Sequence, residues 1–368
     1  MKIDDKTSHN SPSLRFPEFT GEWERCVLGD VLEFSNTRIN SSELNSGNYV
    51  STENILQNFQ GIVKARSIPE DTNVMAFSCG NILLSNIRPY LKKVWKATFN
   101  GGCSSDVFVL QANSNIDADY LHYVVANDKF IGFVMNGAKG VKMPRGDKNQ
   151  MKTYSLSLPS IKEQRKISRF LSFLDERIAV QNRLIEKYES LIKALAHEII
   201  GKNAPNTMLS ECVCCTSSTL KESDLSDAGA VPAYGAAGIS GFIDSALSDG
   251  DSILITKDGS GVGSLRYVVG HHSFVGTLNS MTPKEGVYLP YIYYALQNVC
   301  FESYRTGQAI PHIYFKDYGK EALYCPSFDD QKRLAKGLEM IDAKIGIERA
   351  AIQNLQLVKA YLLSAMFI

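Results

Sequence analysis

Basic and amide side chains cluster at two places in the first half of the chain, where they could hold phosphates or read base edges. The first cluster contains Asn86, Arg88, Tyr90, Lys92 and Lys93. The second is a glycine-rich stretch that carries Lys139, Lys142 and Arg145. Arginine and lysine bind phosphates or guanine edges, asparagine can pair with adenine, and glycine lets the backbone approach a phosphate. We favour nucleic-acid contact over the alternative, a solvated strand face whose aromatic residues belong to the core.

Two further segments in the second half of the chain have the same character. A glycine-rich stretch, residues 256–264, carries Lys257, and a later loop carries Arg305, Gln308 and His312. In that later loop the glutamine and histidine could read bases and the arginine could hold a phosphate; an ordinary turn is the alternative. The glycine-rich stretch resembles a nucleotide-binding loop, but the β-branched and aromatic residues after it predict a strand, where a dinucleotide fingerprint requires a helix. We therefore predict a glycine hairpin whose lysine faces nucleic acid.

Catalytic, cofactor and metal signatures are missing from the sequence. Among the eight cysteines C-x-x-C spacing occurs once, at Cys212 and Cys215, and no further cysteine or histidine group follows at zinc-finger spacing, so the cluster at 212–215 is typical of a buried strand. Neither a nucleophile elbow nor a His-Glu-x-x-His motif occurs, and the Asn-Pro-Pro-aromatic motif of an amino-methyltransferase is absent as well. The sequence thus offers no motif for catalysis, for a cofactor or for a metal site.

Charge and hydropathy exclude several classes of protein. The chain has 368 residues with 39 basic and 39 acidic side chains, so a strongly basic nucleic-acid binder acting alone is not the first expectation. The balance is uneven, however: residues 81–152 carry ten basic and five acidic side chains. No apolar run approaches the roughly 18 residues of a membrane span, and the N-terminus lacks the apolar region of a signal peptide. These features predict a cytoplasmic protein with reduced thiols.

The sequence contains an internal repeat. The segment Pro159–Lys166 recurs as Pro326–Arg333, at an offset of 167 residues. Each copy places a serine before a helix and an acid three residues later, which predicts a capping box. A heptad of apolar residues follows each copy, with a polar residue at the matching place, and in the second copy the register breaks near Lys359. The predicted seam residues are Leu171, Leu174, Ile178, Ile185, Ile192, Leu195, Leu338, Ile341, Ile345, Ile352 and Leu355.

The segments before the heptads also repeat, at an offset of 171 residues, so the chain alternates globular unit and long helix. Each unit shows short strands and an amphipathic helix, predicted over 117–130 in the first unit and 289–301 in the second. The fold class is therefore α+β. We predict a first globular domain over 1–159, a first long helix over 160–202, a second globular domain over 203–326 and a second long helix over 327–368.

Several of these segments resemble the specificity subunits of type I restriction–modification systems. The opening residues Leu14–Phe19, Gly21–Trp23 and Leu28–Asp30 resemble the start of such subunits. The duplicated Pro-Ser-x-x-[Glu/Asp]-Gln-[Arg/Lys] entry into a long helix resembles them too, and Ile87–Lys93 is similar to a segment of their target recognition domains. The resemblance extends over essentially the whole chain.

The resemblance implies two tandem α/β target recognition domains, each reading one half of a split sequence in double-stranded DNA. Two long helices would pair as an antiparallel coiled coil that fixes the spacing, within an internal pseudo-twofold repeat. Such a subunit is non-catalytic and directs two methyltransferase (M) subunits, joined in the full complex by two restriction (R) motor-nuclease subunits. S-adenosylmethionine, ATP and Mg would be bound by those partners. No membrane is involved.

Two rival hypotheses belong to other classes. A coiled-coil adaptor would carry duplicated units that bind proteins and never touch DNA, and an enzyme would use the glycine-rich stretch at 259–263. The basic excess in residues 81–152 favours DNA recognition over the adaptor. The strand predicted after the glycine-rich stretch argues against the enzyme.

Overall fold

The computed structural model describes residues 11–140, 142–307 and 310–368. The chain divides into two compact units. The first ends at Ala179 and takes in Gln353–Ile368 as well, and the second is Val180–Ile352. Both long helices therefore contribute residues to both units.

Among the described residues before the first long helix there are ten strands and four short helices. The strands are β1 (Glu24–Val27), β2 (Leu32–Phe34), β3 (Arg38–Asn40), β4 (Tyr49–Val50), β5 (Asn73–Phe77), β6 (Ile82–Ser85), β7 (Val94–Lys96), β8 (Gly101–Cys103), β9 (Val107–Ala112) and β10 (Ser155–Leu158). The helices are α1 (Leu28–Val31), α2 (Ala118–Val125), α3 (Asp128–Asn136), α4 (Lys148–Lys152) and the long α5 (Ile161–Ala196), which ends in a π-helical turn over His197–Gly201.

The first unit contains two four-stranded sheets, ordered β2-β9-β6-β7 and β3-β5-β8-β4, and a ribbon of β1 and β10. Strand β6 is buried along its whole length because both of its faces are covered. Ile82 and Leu84 belong to the main core with α2 and α3, whereas Leu83 packs with Phe77 and Trp95 on the other face. This explains why its sequence is a continuous apolar run and does not alternate.

The second unit repeats much of this plan. Its strands are β11 (Thr207–Met208), β12 (Val213–Ser217), β13 (Val231–Gly235), β14 (Gly238–Ile243), β15 (Ser252–Thr256), β16 (Leu265–Val268), β17 (Ser273–Phe274), β18 (Leu278–Pro283) and β19 (Ala322–Leu323). Its helices are α6 (Leu209–Cys212), α7 (Leu289–Ala295), α8 (Phe315–Tyr318) and the long α9 (Phe328–Ala365). The sheet β12-β18-β15-β16 corresponds to β2-β9-β6-β7, and β14-β13-β17 and β11-β19 complete the unit.

The prediction of a single amphipathic helix over 117–130 is wrong, because the structure has two helices there. Helix α2 ends at Val125, and Asn127 begins α3 by accepting a hydrogen bond from the backbone N–H of Lys129. The side-chain amide of Asn127 also donates to the carbonyl of Leu363 at 3.0 Å. The break therefore has a local signal, the asparagine cap of α3, and a second support in this contact with the end of α9. The segment predicted over 289–301 likewise ends early, as α7 followed by two 3₁₀ turns.

Both long helices begin at the predicted serines, but their acids differ in what they bind, since Asp330 accepts from the Ser327 hydroxyl at 2.8 Å. Ser160 Oγ accepts from the backbone N–H of Glu163 at 3.4 Å, and Ser327 Oγ accepts from that of Asp330 at 3.3 Å. The Glu163 carboxylate instead accepts two hydrogen bonds from the Arg15 guanidinium, at 2.7 and 2.8 Å. A distant arginine has thus replaced the local arm of the cap.

One glutamine in each repeat ties the globular part of its unit to the long helix. Gln164 accepts from the backbone N–H of Asp117 at 2.8 Å and donates to the Pro159 carbonyl at 2.9 Å. Gln331 makes the corresponding bonds, at 2.8 Å from Tyr288 and 2.9 Å to Pro326. Both glutamines are 1% exposed. The glutamine of the repeated motif therefore sets where each domain meets its helix.

The heptad residues line the packed face of the long helices. Six are buried and five half-buried. The buried ones are Leu171, Ile185, Ile192, Leu338, Ile345 and Ile352, and the half-buried ones are Leu174, Ile178, Leu195, Ile341 and Leu355. The polar residues of the two heptads pair with each other, Gln181 donating to Glu348 at 3.1 Å.

Helix α9 continues without interruption through Lys359, where the heptad register breaks. Beyond this point Leu362, Leu363, Met366 and Phe367 join the main core of the first unit. The Phe367 ring stacks on Tyr120 with 5.0 Å between centroids. The change of register therefore marks where the helix stops packing as a heptad and enters the core of the first globular unit.

Candidate nucleic-acid interface

The two basic clusters of the first unit meet in space and form what we term the first loop pair. The first loop pair consists of residues 85–93 and residues 137–147. The backbone N–H of Arg88 donates to the Pro144 carbonyl at 2.8 Å, and that of Gly146 donates to the Asn86 carbonyl at 3.1 Å. Lys139 and Arg145 exchange two backbone hydrogen bonds, at 3.0 and 2.9 Å, which close the second loop into a hairpin. Segments about fifty residues apart thus form one surface.

The two segments singled out in the second unit meet in the same way and form the second loop pair. The second loop pair consists of residues 256–264 and the described part of residues 305–313. The backbone N–H of Gly259 donates to the Pro311 carbonyl at 2.9 Å, and that of Ile313 donates to the Lys257 carbonyl at 2.9 Å. Thr306 and His312 exchange two backbone hydrogen bonds of 2.9 Å. Each of these bonds has its counterpart in the first loop pair.

The matching bonds follow the sequence offsets of the repeat. Arg88 and Gly259 are 171 residues apart, and Pro144 and Pro311 are 167 apart. Both Arg88 and Gly259 have positive φ, 52° and 95°. Glycine adopts this left-handed region freely, whereas an arginine held there is strained by roughly 1 kcal/mol. The first unit therefore keeps a side chain at a position where the second keeps only backbone.

The hairpin loops need a glycine at one position. Gly140 and Gly307, which are repeat equivalents, have φ of 95° and 85°. A Cβ atom on Gly307 would lie 2.5 Å from the Ile310 carbonyl oxygen, closer than real contacts allow. The glycines predicted to let the backbone approach a phosphate are thus also required by the tightness of the hairpin.

Three basic side chains of the first loop pair are held in ion pairs by acids of the same unit. The pairs are Lys92–Asp128 at 2.7 Å, Lys139–Asp147 at 2.8 Å and Arg145–Asp106 at 3.0 Å. Exposed ion pairs of this kind contribute little to stability, about 0–1 kcal/mol. The side chains of Arg88, Tyr90 and Lys142 are exposed. This surface can therefore present cations to an anionic ligand at small cost.

Two predicted residues of this surface turn inward. The Lys93 ammonium donates to the Thr52 carbonyl at 2.5 Å, and desolvation by burial lowers its pKa. The side-chain oxygen of Asn86 is buried, and no hydrogen-bond partner for it lies in the described part of the chain. Lys93 thus points away from the proposed contact surface and stabilises the loop from its inner side.

In the second loop pair the predicted cations also have local partners. The Lys257 ammonium lies 2.5 Å from Asp258, and the Arg305 guanidinium lies 2.6 Å from Glu302. His312 Nδ1 lies 3.1 Å from the Ile310 carbonyl oxygen, a distance that fits an Nδ1–H donor and leaves Nε2 as an acceptor. Gln308 falls outside the described residues.

Two further residues beside the second loop pair escaped the sequence analysis. The exposed Tyr314 ring packs edge-on against His312, with 5.0 Å between centroids. The Lys316 ammonium lies 5.1 Å from the centre of the same ring. A basic side chain next to an exposed aromatic ring is the signal that could have singled out this segment.

Comparison with known proteins gives the loop pairs a context. Residues 20–190 and 213–357 match the family described as "Type I restriction modification DNA specificity domain". The chain belongs to this family. As the resemblance predicted, it is a type I specificity subunit, and the match favours this assignment over an adaptor.

Individual relatives agree with the family assignment. The chain is 33% identical over 126 residues to the EcoDI specificity subunit of Escherichia coli, an alignment that spans 34% of this chain and 28% of that subunit. It is 23% identical to a putative type I specificity subunit of Mycoplasma pneumoniae over 97% of this chain and 99% of that one.

Solved structures show the same fold. The crystal structure of a type I S subunit from M. genitalium matches with a TM-score of 0.62 and 20% identity, over 97% of this chain and 99% of that one. A structure concerned with complex assembly of the type I system matches with a TM-score of 0.50 and 18% identity, over 93% and 96%. The predicted α+β class with two repeated units and long helices is therefore confirmed.

The described residues contain neither a candidate membrane span nor a candidate metal cluster. No helix among them is both long and apolar enough to cross a membrane. Within the same residues, no group of three or more histidine, cysteine or acidic side chains is arranged to hold a metal ion.

Proposed function

We propose that the two loop pairs are the DNA-reading surfaces of this specificity subunit, each reading one half of a split target. The recognition domains would be residues 1–159 and 203–326, and the long helices residues 160–202 and 327–368. The observation that carries the proposal is the matching backbone frame of the loop pairs. The same hydrogen bonds present Arg88 and Arg145 in one unit and Gly259 and His312 in the other. A common frame with different side chains is what two different half-sites require.

The charges of the loop pairs support a separation of base selectivity, in this chain, from phosphate binding, in its partner subunits. Binding to the DNA backbone requires basic groups that displace counterions, and its strength falls with salt according to the number of phosphates neutralised. This chain has no net charge, and most of its candidate cations already have acidic partners. We infer that the loop pairs supply selectivity and that partner subunits supply much of the phosphate binding. The salt slope of the isolated chain should then be smaller than that of the complex.

The remaining parts of the proposal concern the assembly. Two methyltransferase subunits would dock on this chain, and two restriction subunits would join them in the full complex. The internal repeat supports this number, because repeated surfaces can recruit two copies of one partner. S-adenosylmethionine, ATP and Mg would belong to these partners, and the chain would itself catalyse no step. We place the complex in the cytoplasm, where its DNA substrate lies.

A methylome tests the proposal. The chain is expressed with the methyltransferase subunit encoded beside it, and N6-methyladenine is mapped by single-molecule sequencing. We expect a split motif that appears only when this chain is present. Unchanged methylation together with failure of the two proteins to co-purify would return the adaptor hypothesis.

Single substitutions then assign the half-sites. Arg145→Ala should relax one half of the motif and His312→Ala the other, with the complex still assembled. Lys162→Ala removes an exposed lysine at the start of α5 and serves as the control, for which we expect an unchanged motif. If both loop variants altered the same half, the assignment of one loop pair to each half-site would be wrong.

A further inference from the structure

A cavity of about 170 Å³ lies in the second unit between α7, β16 and the first half of α9. We call it the tyrosine cavity. It is lined by Tyr267, Pro290, Tyr293, Tyr294, Glu339 and Asp342. Three aromatic rings and two carboxylates therefore surround it. Neither the loop pairs nor the heptad seam accounts for this composition.

The carboxylates of the tyrosine cavity are fixed by phenol groups. The Tyr294 hydroxyl donates to Asp342 at 2.8 Å, and the Tyr288 hydroxyl donates to Glu339 at 2.8 Å. Desolvation by burial raises the pKa of the Asp342 carboxyl. A buried carboxylate is stable when a cation compensates it.

The arginines of this region are engaged with other groups. Arg349 donates to Glu189 at 2.6 Å, and the Arg266 guanidinium lies 6.0 Å from the centre of the Tyr234 ring. Among the described residues, no lysine or arginine forms an ion pair with Asp342. The carboxylates of the cavity are hydrogen-bonded by phenol groups, and the positive charge of Arg349 acts on Asp342 without forming an ion pair with it.

The equivalent place in the first unit is filled by the chain itself. Tyr123 and Asp175 are the repeat equivalents of Tyr294 and Asp342, at offsets of 171 and 167. Their hydrogen bond is the same, at 2.8 Å. Here, however, the Lys359 ammonium lies 2.5 Å from the Asp175 carboxylate and 5.6 Å from the centre of the Tyr123 ring. In the first unit, the hydrogen-bonded tyrosine and aspartate thus hold an ammonium group.

The second unit has no lysine at the position equivalent to Lys359. The repeat equivalent of Lys359 is Ile192, which has no charge. Two other positions lining the cavity, those of Tyr267 and Pro290, correspond to Lys96 and Asp119, which form an ion pair in the first unit. Both lysines that occupy this region of the first unit are therefore missing from the second, and the tyrosine cavity is what remains.

We propose that the tyrosine cavity binds the alkylammonium group of a small aliphatic amine, as the first unit holds the Lys359 ammonium. The ammonium would pair with the carboxylates of Asp342 and Glu339. The aliphatic stem would lie against the rings of Tyr293 and Tyr294, where aromatic faces attract cations. The binding site belongs to the second unit alone.

Calorimetric titration of the full chain with n-butylammonium, which copies the end of a lysine side chain, tests the proposal. We expect saturable binding of one cation per chain and no binding of n-butanol, which has a similar shape without the charge. Asp342→Asn keeps the shape of the side chain and should weaken binding at least about tenfold. Absence of saturable binding, or equal affinity in the Asp342→Asn variant, would overturn the proposal.

Substitutions at the repeat-equivalent positions sharpen the test. Lys359→Ala should open the corresponding place in the first unit and raise the number of bound cations from one to two. Lys336→Ala removes an exposed lysine of α9 and should leave the number at one. Ile192→Lys should fill the tyrosine cavity from within and abolish binding, provided that circular dichroism shows a native fold. A Lys359→Ala variant that folds and still binds one cation would contradict the equivalence of the two places.

Amine binding requires neither DNA nor a partner subunit. Its failure would therefore leave the proposed DNA recognition untouched, and a missing methylation motif would leave the tyrosine cavity untouched.

Discussion

Replacing Gln164 with methionine should loosen the first globular domain from its helix. Methionine keeps the volume of the side chain but cannot make the two hydrogen bonds of Gln164, at 2.8 Å from the Asp117 amide and 2.9 Å to the Pro159 carbonyl. Each buried backbone group left without a partner costs about 1–3 kcal/mol. The bond to Pro159 is buried and that from Asp117 only partly buried, so we expect a total loss of about 2–4 kcal/mol in unfolding free energy. For a unit of this size the melting temperature would fall by about 5–15 °C.

Tryptophan fluorescence makes the effect measurable in one unit. The two tryptophans of the chain, Trp23 and Trp95, are buried and both lie in the first unit. Urea unfolding followed by fluorescence should therefore shift to lower concentration for Gln164→Met. Gln331→Met removes the matching bonds in the second unit and should leave the fluorescence midpoint nearly unchanged. Gln356→Met, at an exposed position of α9, should stay within about 0.5 kcal/mol of wild type.

A loss below about 1 kcal/mol for Gln164→Met would refute this reasoning. It would mean that water or a small backbone shift satisfies the two groups. The glutamine of the repeated motif would then not be what holds each domain on its helix.

Three further perturbations have expected outcomes. Ile185→Asp places an unpaired carboxylate in the heptad seam, so it should lower the free energy of unfolding by roughly 3 kcal/mol or more and alter recognition of both half-sites. The control, the exposed Lys187→Ala, should do neither. Urea unfolding measures the first effect and the methylome the second. Gly307→Ala should impair the second half-site and spare the first in the methylome, because its Cβ would lie 2.5 Å from the Ile310 carbonyl oxygen. Burial, and then the nearby Lys359 ammonium, lower the pKa of His122 from 6.5 to about 4. The unfolded chain therefore takes up a proton at higher pH than the folded chain, so stability is complete above pH 6.5 and falls by about 2 kcal/mol between pH 6.5 and pH 5; fluorescence-monitored unfolding of His122→Gln should show a smaller fall.

The local signals of the sequence were sufficient for much of the fold. The serines that begin the long helices and the heptad residues lie where they were predicted. Each of these features depends on residues within a turn or a strand of one another. The break between α2 and α3 was missed although Asn127 is a local cap, and the bond between Asn127 and Leu363 could not be predicted from the sequence.

The candidate interface shows the same division. Residue types alone indicated which segments carry basic and glycine-rich loops, and the repeat indicated that there are two sets. That Lys93 points at Thr52 became visible only in three dimensions. Side-chain direction depends on neighbours from other segments, which a spacing of residues along the chain does not reveal.

Family membership, the duplication and the starts of the long helices are readable from the sequence, because capping, heptad periodicity and repeated motifs act over short separations. Which loops meet, which acid binds Arg15 and what Lys359 does depend on the three-dimensional packing of distant segments. Those outcomes rest on hydrogen bonds and ion pairs between residues about 50 to 240 positions apart. Lys359 and Ile192 are equivalent positions of the repeat but have different roles, because the role of each side chain depends on the charged groups that surround it in the folded protein.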